Sequence, residues 1–108
     1  MFEHRYNRLK QIAEPILTES GYIQVSEEFH PEIFGSAYSE FVQGPRKVRL
    51  IWDGKDGWGY FQTLNPQRGE FDWTDVHCYL AAADISSDHP NRLQIDQFCV
   101  MLKEATEP

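Results

Sequence analysis

Residues 46–64 read RKVRLIWDGKDGWGYFQTL, and the remaining elements are arranged around the hairpin they predict. Two runs rich in aliphatic and aromatic residues flank Asp53-Gly54-Lys55-Asp56-Gly57. Asp-Gly pairs supply the positive φ that tight hairpin turns need, and both Gly54 and Gly57 are assigned that role. The expected element is a β-hairpin with a loop of about three to five residues. Alternation along a strand puts Val48, Leu50 and Trp52 on one face, and Lys47, Arg49 and Ile51 on the other. On the return strand Trp58 and Tyr60 share a face, with Phe61 opposite. A loop centred on Lys55 sets Trp52 across from Trp58 and Leu50 across from Tyr60. Each such cross-strand pair is worth about 0.2–1 kcal/mol relative to an alanine pair. The hairpin is therefore expected at the centre of an antiparallel sheet with one buried face.

Upstream, residues 22–30 (YIQVSEEFH) alternate as a strand, with Glu27 and Glu28 suited to blunting a sheet edge. His30-Pro31 marks a turn, because proline drives the residue before it out of the helical region. Residues 33–43 give a second strand, with Phe34, Ser36, Tyr38, Glu40 and Val42 on one face and Ala37, Ser39 and Phe41 on the other. Residues 2–20 carry Phe2, Tyr6, Leu9, Ile12, Ala13, Ile16 and Leu17 at three- and four-residue spacing, the stripe of an amphipathic helix. Gly21 is its natural stop. Pro15 removes a backbone bond inside it, which predicts a kink near residues 11–14 or a break.

Downstream, residues 65–69 (NPQRG) are a loop by composition. Residues 72–84 fit either of two elements. Val76, Cys78, Leu80 and Ala82 alternate as a strand, whereas Trp73, Val76, Leu80 and Ala83 fit a helix capped by Asp72 or Thr74. The alternation of polar with apolar residues favours the strand. A second helix starts at Pro90 or Asn91 and buries Ile95, Phe98, Cys99, Leu102 and Ala105. The order predicts an α+β chain of one domain, residues 1–108. An antiparallel sheet of four or five strands is flanked by an N-terminal and a C-terminal helix as a two-layer sandwich.

Composition narrows the function. The chain has 108 residues and a net charge of −7. Phosphate recognition needs a basic surface, so nucleic acid and anionic membranes are disfavoured partners. No apolar run has the roughly 18 residues of a membrane span, and the N-terminus lacks a signal-peptide apolar segment, so a cytoplasmic location is expected. Cys78 and Cys99 lack CxxC spacing and are expected to be reduced and shielded. The Asp-Gly loop departs from a calcium loop, with Lys55 at a ligand position and no distal Glu. The histidines lack ligand spacing, and no nucleophile elbow or phosphate-binding glycine pattern occurs, so neither a metal, a cofactor nor a catalytic residue is assigned.

Two functional readings remain. Residues 69–75 (GEFDWTD) set aromatic rings among acids. Glu70, Asp72, Trp73 and Asp75 form a candidate contact for a basic protein, with the ring as anchor and the acids steering. The plainer reading, preferred for Trp73 itself, packs that ring in the core and leaves the acids solvated. In size, charge and layout the chain resembles the small bacterial immunity proteins that neutralise secreted toxins, a resemblance of general character rather than of motif. It implies a protein partner with a basic surface. The alternative is a small-molecule binder or enzyme with an aromatic pocket between sheet and helices, for which Trp52, Trp58, Tyr60 and His77 are the candidates.

Overall fold

The computed structural model describes residues 2–107, with side chains from Arg5 onward. A helix α1 (Phe2–Glu19) leads into five strands, β1 (Ile23–His30), β2 (Ser36–Gln43), β3 (Arg46–Asp53), β4 (Trp58–Leu64) and β5 (Thr74–Ala81), and a helix α2 (Arg92–Thr106) follows. A single 3-10 turn, Pro66–Arg68, sits between β4 and β5. All five strands form one antiparallel sheet in the order β1-β2-β3-β4-β5, so each pairs with its neighbours in sequence. Both helices pack on the same face, α1 over β1–β3 and α2 over β5, with α1 against α2. This is the expected α+β two-layer sandwich, and the ambiguous segment is a strand. No helix among the described residues is long and apolar enough to cross a membrane.

The alternation seen in the sequence sorts the two sheet faces. Ala37 and Phe41 of β2, Val48, Leu50 and Trp52 of β3, Phe61 of β4, and Cys78 and Leu80 of β5 are buried beneath the helices. They meet Tyr6, Leu9, Ala13 and Leu17 of α1 and Phe98 and Leu102 of α2. Helix α1 runs unbroken through Pro15, which is exposed. The stripe on the opposite side holds the helix to the sheet strongly enough to offset the roughly 3 kcal/mol a helical proline costs. Gly21, with φ +86°, ends the helix, and the Tyr22 N–H donates back to the Leu17 carbonyl at 2.9 Å. At the other end of the chain Asn91 caps α2, its side chain accepting from the Gln94 N–H at 3.2 Å.

The central hairpin differs from expectation by one residue. Its loop is Gly54–Gly57, so Asp53 pairs with Trp58, Trp52 with Gly59, Ile51 with Tyr60 and Leu50 with Phe61. Asp53 sets this length: its Oδ1 accepts from the Lys55 and Asp56 N–H groups at 3.0 and 3.1 Å, and its carbonyl accepts from Gly57 at 2.8 Å. A slip of one residue exchanges the faces of a strand. Trp58 and Tyr60 therefore leave the side of Leu50 and Trp52, and Gly59 and Phe61 take their place. Gly59 lets α1 approach, since a Cβ there would lie 2.6 Å from Leu9 Cδ2. Gly57 has the expected positive φ of +79°, whereas Gly54 does not.

Two further departures flank β1. Strand β2 begins at Ser36 rather than near residue 33, because Phe34 and Gly35 take left-handed φ values of +55° and +75° and turn the chain. β1 is the expected edge, with a register shift between Gln24 and Ser26. Its Glu27 turns toward α1 and accepts from Ser39 Oγ at 3.2 Å while the Lys10 ammonium pairs with it. The Ser39 hydroxyl also bonds that of Tyr6, and Lys10 Nζ lies 3.2 Å from Glu14 Oε1. The bonds from Lys10 above all hold the Glu27 carboxyl below the usual carboxylate range, while burial pushes the Tyr6 hydroxyl well above its own. Glu27 is bound more weakly by protons when folded. Its contribution is thus complete above the unfolded value of about 4.3 and lost as pH falls through the lower native value. Glu27→Gln is expected to flatten the acid side of the stability profile, which urea midpoints at about pH 6 and about pH 3 check, each on one side of that unfolded value. An unaltered acid side would place the acid sensitivity elsewhere.

Candidate functional site

With both helices on one side, the other face of the sheet has no covering layer among the described residues. It presents Glu28, Tyr38, Glu40, Arg49, Ile51, Asp53, Trp58, Tyr60, Gln62, Asp75, His77 and Tyr79, by the alternation and register of the five strands. Two cross-strand rows organise it.

The first row is polar. Glu40, Arg49, Gln62 and Asp75 occupy paired positions on β2, β3, β4 and β5. Arg49 donates from Nη2 and Nε to Glu40 Oε1 at 2.6 and 3.2 Å, and Gln62 Nε2 donates to Asp75 Oδ1 at 2.6 Å. The guanidinium carbon lies 4.2 Å from the centre of the Trp73 ring and 5.1 Å from that of Tyr38. Arginine stacks well on aromatic faces, whose quadrupole attracts the cation. Trp73 is thus half-buried over this row and lies outside the helix-covered core that the plainer reading gave it.

The second row is aromatic. Tyr38, Ile51 and Tyr60 pair across β2, β3 and β4. On β5 the register jumps: Gly59 pairs with Leu80 but Phe61 with Val76, so His77, Cys78 and Tyr79 stand opposite Tyr60 alone. Such a bulge re-aims side chains. Here it gathers rings around Tyr79, with Trp58 at 5.2 Å, Tyr60 at 5.4 Å and His77 at 6.3 Å between centroids. Trp58 remains 40% exposed, a large ring open to a partner. Partial burial first, then Asp75 and Asp53, push the Tyr60 hydroxyl above its usual range.

The sequence-derived candidates divide accordingly. Of the aromatic-pocket set, Trp58, Tyr60 and His77 come together on the open face, while Trp52 is fully buried on the opposite side. The four do not line one pocket between sheet and helices; that space holds the packed side chains of Trp52, Phe61 and Phe98. Of the acidic set, Trp73 and Asp75 join the open face. Asp72 is exposed on the approach to β5. Glu70 braces the β4–β5 loop, its Oε1 accepting from the Thr63 hydroxyl at 2.8 Å and the Asn65 N–H at 3.0 Å. Tyr38, Arg49 and Tyr79 were not singled out from the sequence. Alternation marks their face once the register is known, but the bulge that centres the cluster on Tyr79 has no sequence signature.

Other features lie away from this face. A groove of about 570 Å³ opens between the helices, lined by Ile16, Cys99, Val100, Lys103 and Thr106 among others. Both cysteines are free; Cys78 is buried and Cys99 half-buried, and burial raises the pKa of each thiol. Thiolate reactivity is thereby suppressed. Among the described residues no three His, Cys, Asp or Glu side chains are grouped to hold a metal ion. Comparison with protein-family models, with curated protein sequences and with solved structures finds no match for the chain.

Proposed function

We propose that the chain is a protein-binding module whose open sheet face receives a partner with a basic surface. The observation that carries this reading is the ring cluster of Trp58, Tyr60 and Tyr79 on a face that no helix of the described residues covers, in a chain of net charge −7. Interfaces are anchored by large aromatic residues, and complementary charge at the rim speeds encounter and excludes wrong partners. Glu28, Asp53, Asp72 and Asp75 supply that charge around the rings. Inhibition of a basic protein such as a toxin, as immunity proteins achieve it, is the form of binding that the size and charge of the chain suit.

Surface plasmon resonance against a panel of basic proteins tests the reading, with variants assigning the face. Asp72→Lys with Asp75→Lys should slow association of a bound partner, as should added salt, since exposed charges are screened beyond about 8 Å at physiological ionic strength. Trp58→Ala should instead speed dissociation, by roughly 30-fold if the ring is an anchor worth about 2 kcal/mol. Glu104→Lys on the helical side serves as the control and should change neither rate. A partner that responds to the helical variant and ignores the sheet variants would refute the assignment.

A further inference from the structure

A hollow of about 310 Å³ lies at the β1–β2 end of the open face, lined by His30, Tyr38, Ile51, Asp53, Lys55 and Tyr60 among others. We propose that this hollow takes a single cationic side chain, arginine or lysine, of the basic partner, an inference that rests on the reading above.

The lining matches a side chain with an apolar stem and a charged tip. Tyr38, Ile51 and Tyr60 are directly paired across three strands, so an aliphatic floor lies between two aromatic walls. Arginine and lysine lay their methylene stems along such surfaces and keep the charge at the edge. The walls are polarised toward a cation. The Tyr38 hydroxyl donates to Glu28, which increases the electron density of the ring. His30, stacked with Tyr38 at 6.4 Å, stands between two acids, its Nε2 3.5 Å from Glu28 Oε1 and its Nδ1 3.2 Å from Glu32 Oε1. The turn fixes the Asp53 carboxylate through Oδ1, and no hydrogen bond engages Oδ2 among the described residues.

The neighbouring row supplies an independent argument. There the chain holds a cation of its own, Arg49, by the same means: Tyr38 on one side, Trp73 on the other, and Glu40 as counter-ion. The hollow repeats that set with Tyr38, Tyr60 and Asp53, one row further along the strands. Lys55 is the chain's own cation nearest to it and makes no ion pair among the described residues. Asp53 offsets Lys55 within the lining, and Glu28 and Glu32, each beside the lining residue His30, add negative charge next to the hollow.

The probe is the capped tripeptide acetyl-Gly-Arg-Gly-amide, titrated at low salt into the full chain and followed by NMR. The neutral citrulline peptide, of almost the same shape, is the control. Saturable shifts confined to the Ile51 methyls and the Tyr38 and Tyr60 rings are expected, with citrulline at least tenfold weaker. Asp53→Asn should weaken the arginine peptide at least threefold. Lys55→Gln, at an exposed loop position where folding is undisturbed, should strengthen it by removing a like charge. Equal binding of citrulline, shifts spread over acids of the whole surface, or no gain in Lys55→Gln would each overturn the inference. A basic partner that binds the sheet face while Tyr60→Phe, Asp53→Asn and Lys55→Gln leave its affinity unchanged removes the hollow and spares the broader reading. Confined peptide shifts beside a partner indifferent to every open-face variant do the reverse.

Discussion

Phe61→Ala is expected to remove about 3–5 kcal/mol of stability, the usual cost of deleting a fully buried phenylalanine. Phe61 joins the sheet to α2 through one side chain. It is fully buried on β4, pairs with Leu50 of β3 and Val76 of β5, and meets Phe98 of α2 edge to face at 5.5 Å. Truncation forfeits the transfer of the ring out of water and leaves a void between layers that cannot close without moving α2. Domains of this size have about 5–15 kcal/mol in total, so the variant should be partly unfolded at modest denaturant. Urea unfolding followed by fluorescence measures it, with a midpoint shift at unchanged slope. Phe71→Ala is the contrast, because that ring is 76% exposed, and its effect should stay within about 0.5 kcal/mol. Similar losses for the two would show that Phe61 is not a core residue.

Gly54→Ala should be the more damaging of the two loop substitutions, although its φ is ordinary. A Cβ at Gly54 would collide with the Phe34 carbonyl oxygen, 2.7 Å from the carbonyl carbon and 3.0 Å from the Ser36 nitrogen. These are backbone atoms of a turn already constrained by the left-handed Phe34, and the Gly54 N–H donates to Ser36 Oγ at 3.0 Å. No side chain can rotate aside, so the β1–β2 turn must shift; overpacking of this kind costs about 1–3 kcal/mol, and the upper end is expected here. Gly57→Ala meets open space and carries only the penalty of its φ of +79°, about 1–2 kcal/mol. Thermal or urea midpoints of the two variants give the order directly. A larger loss at Gly57 would mean that conformation, and not space, governs the loop.

The same pair of glycines shows what the sequence discloses. Both are visible as loop residues, and Gly57 has the positive φ that an Asp-Gly turn predicts. The contact that forbids a side chain at Gly54 comes from a turn 20 residues earlier in the chain, between Phe34 and Gly54, and local pattern carries no trace of it. Alternation was sufficient for the strands: Ala37, Ser39 and Phe41 face the helices together, as do Val48, Leu50 and Trp52. It was insufficient for register, because a loop of four residues in place of an odd number moves Trp58 and Tyr60 to the other face. The candidate site was affected most. Trp58, Tyr60 and His77 were visible as aromatic and polar residues, but their assembly around Tyr79 depends on a bulge in β5. Trp73 was assigned to the core and instead lies half-buried over Arg49, a place that depends on pairing between β3 and β5 through β4.

The order of strands also bears on how the chain reaches this state. Each hairpin joins segments adjacent in sequence, so the sheet can zip up through short closures of low entropic cost. The helices meet last in the chain's own order: the Ser20 and Thr106 hydroxyls, 3.2 Å apart, are 86 residues apart in sequence. Among the hydrogen bonds of the described residues that contact closes the longest loop, and long closures are the entropically costly ones. Weakening it should therefore leave the rate of folding nearly unchanged and appear as faster unfolding, the signature of a contact made after the barrier.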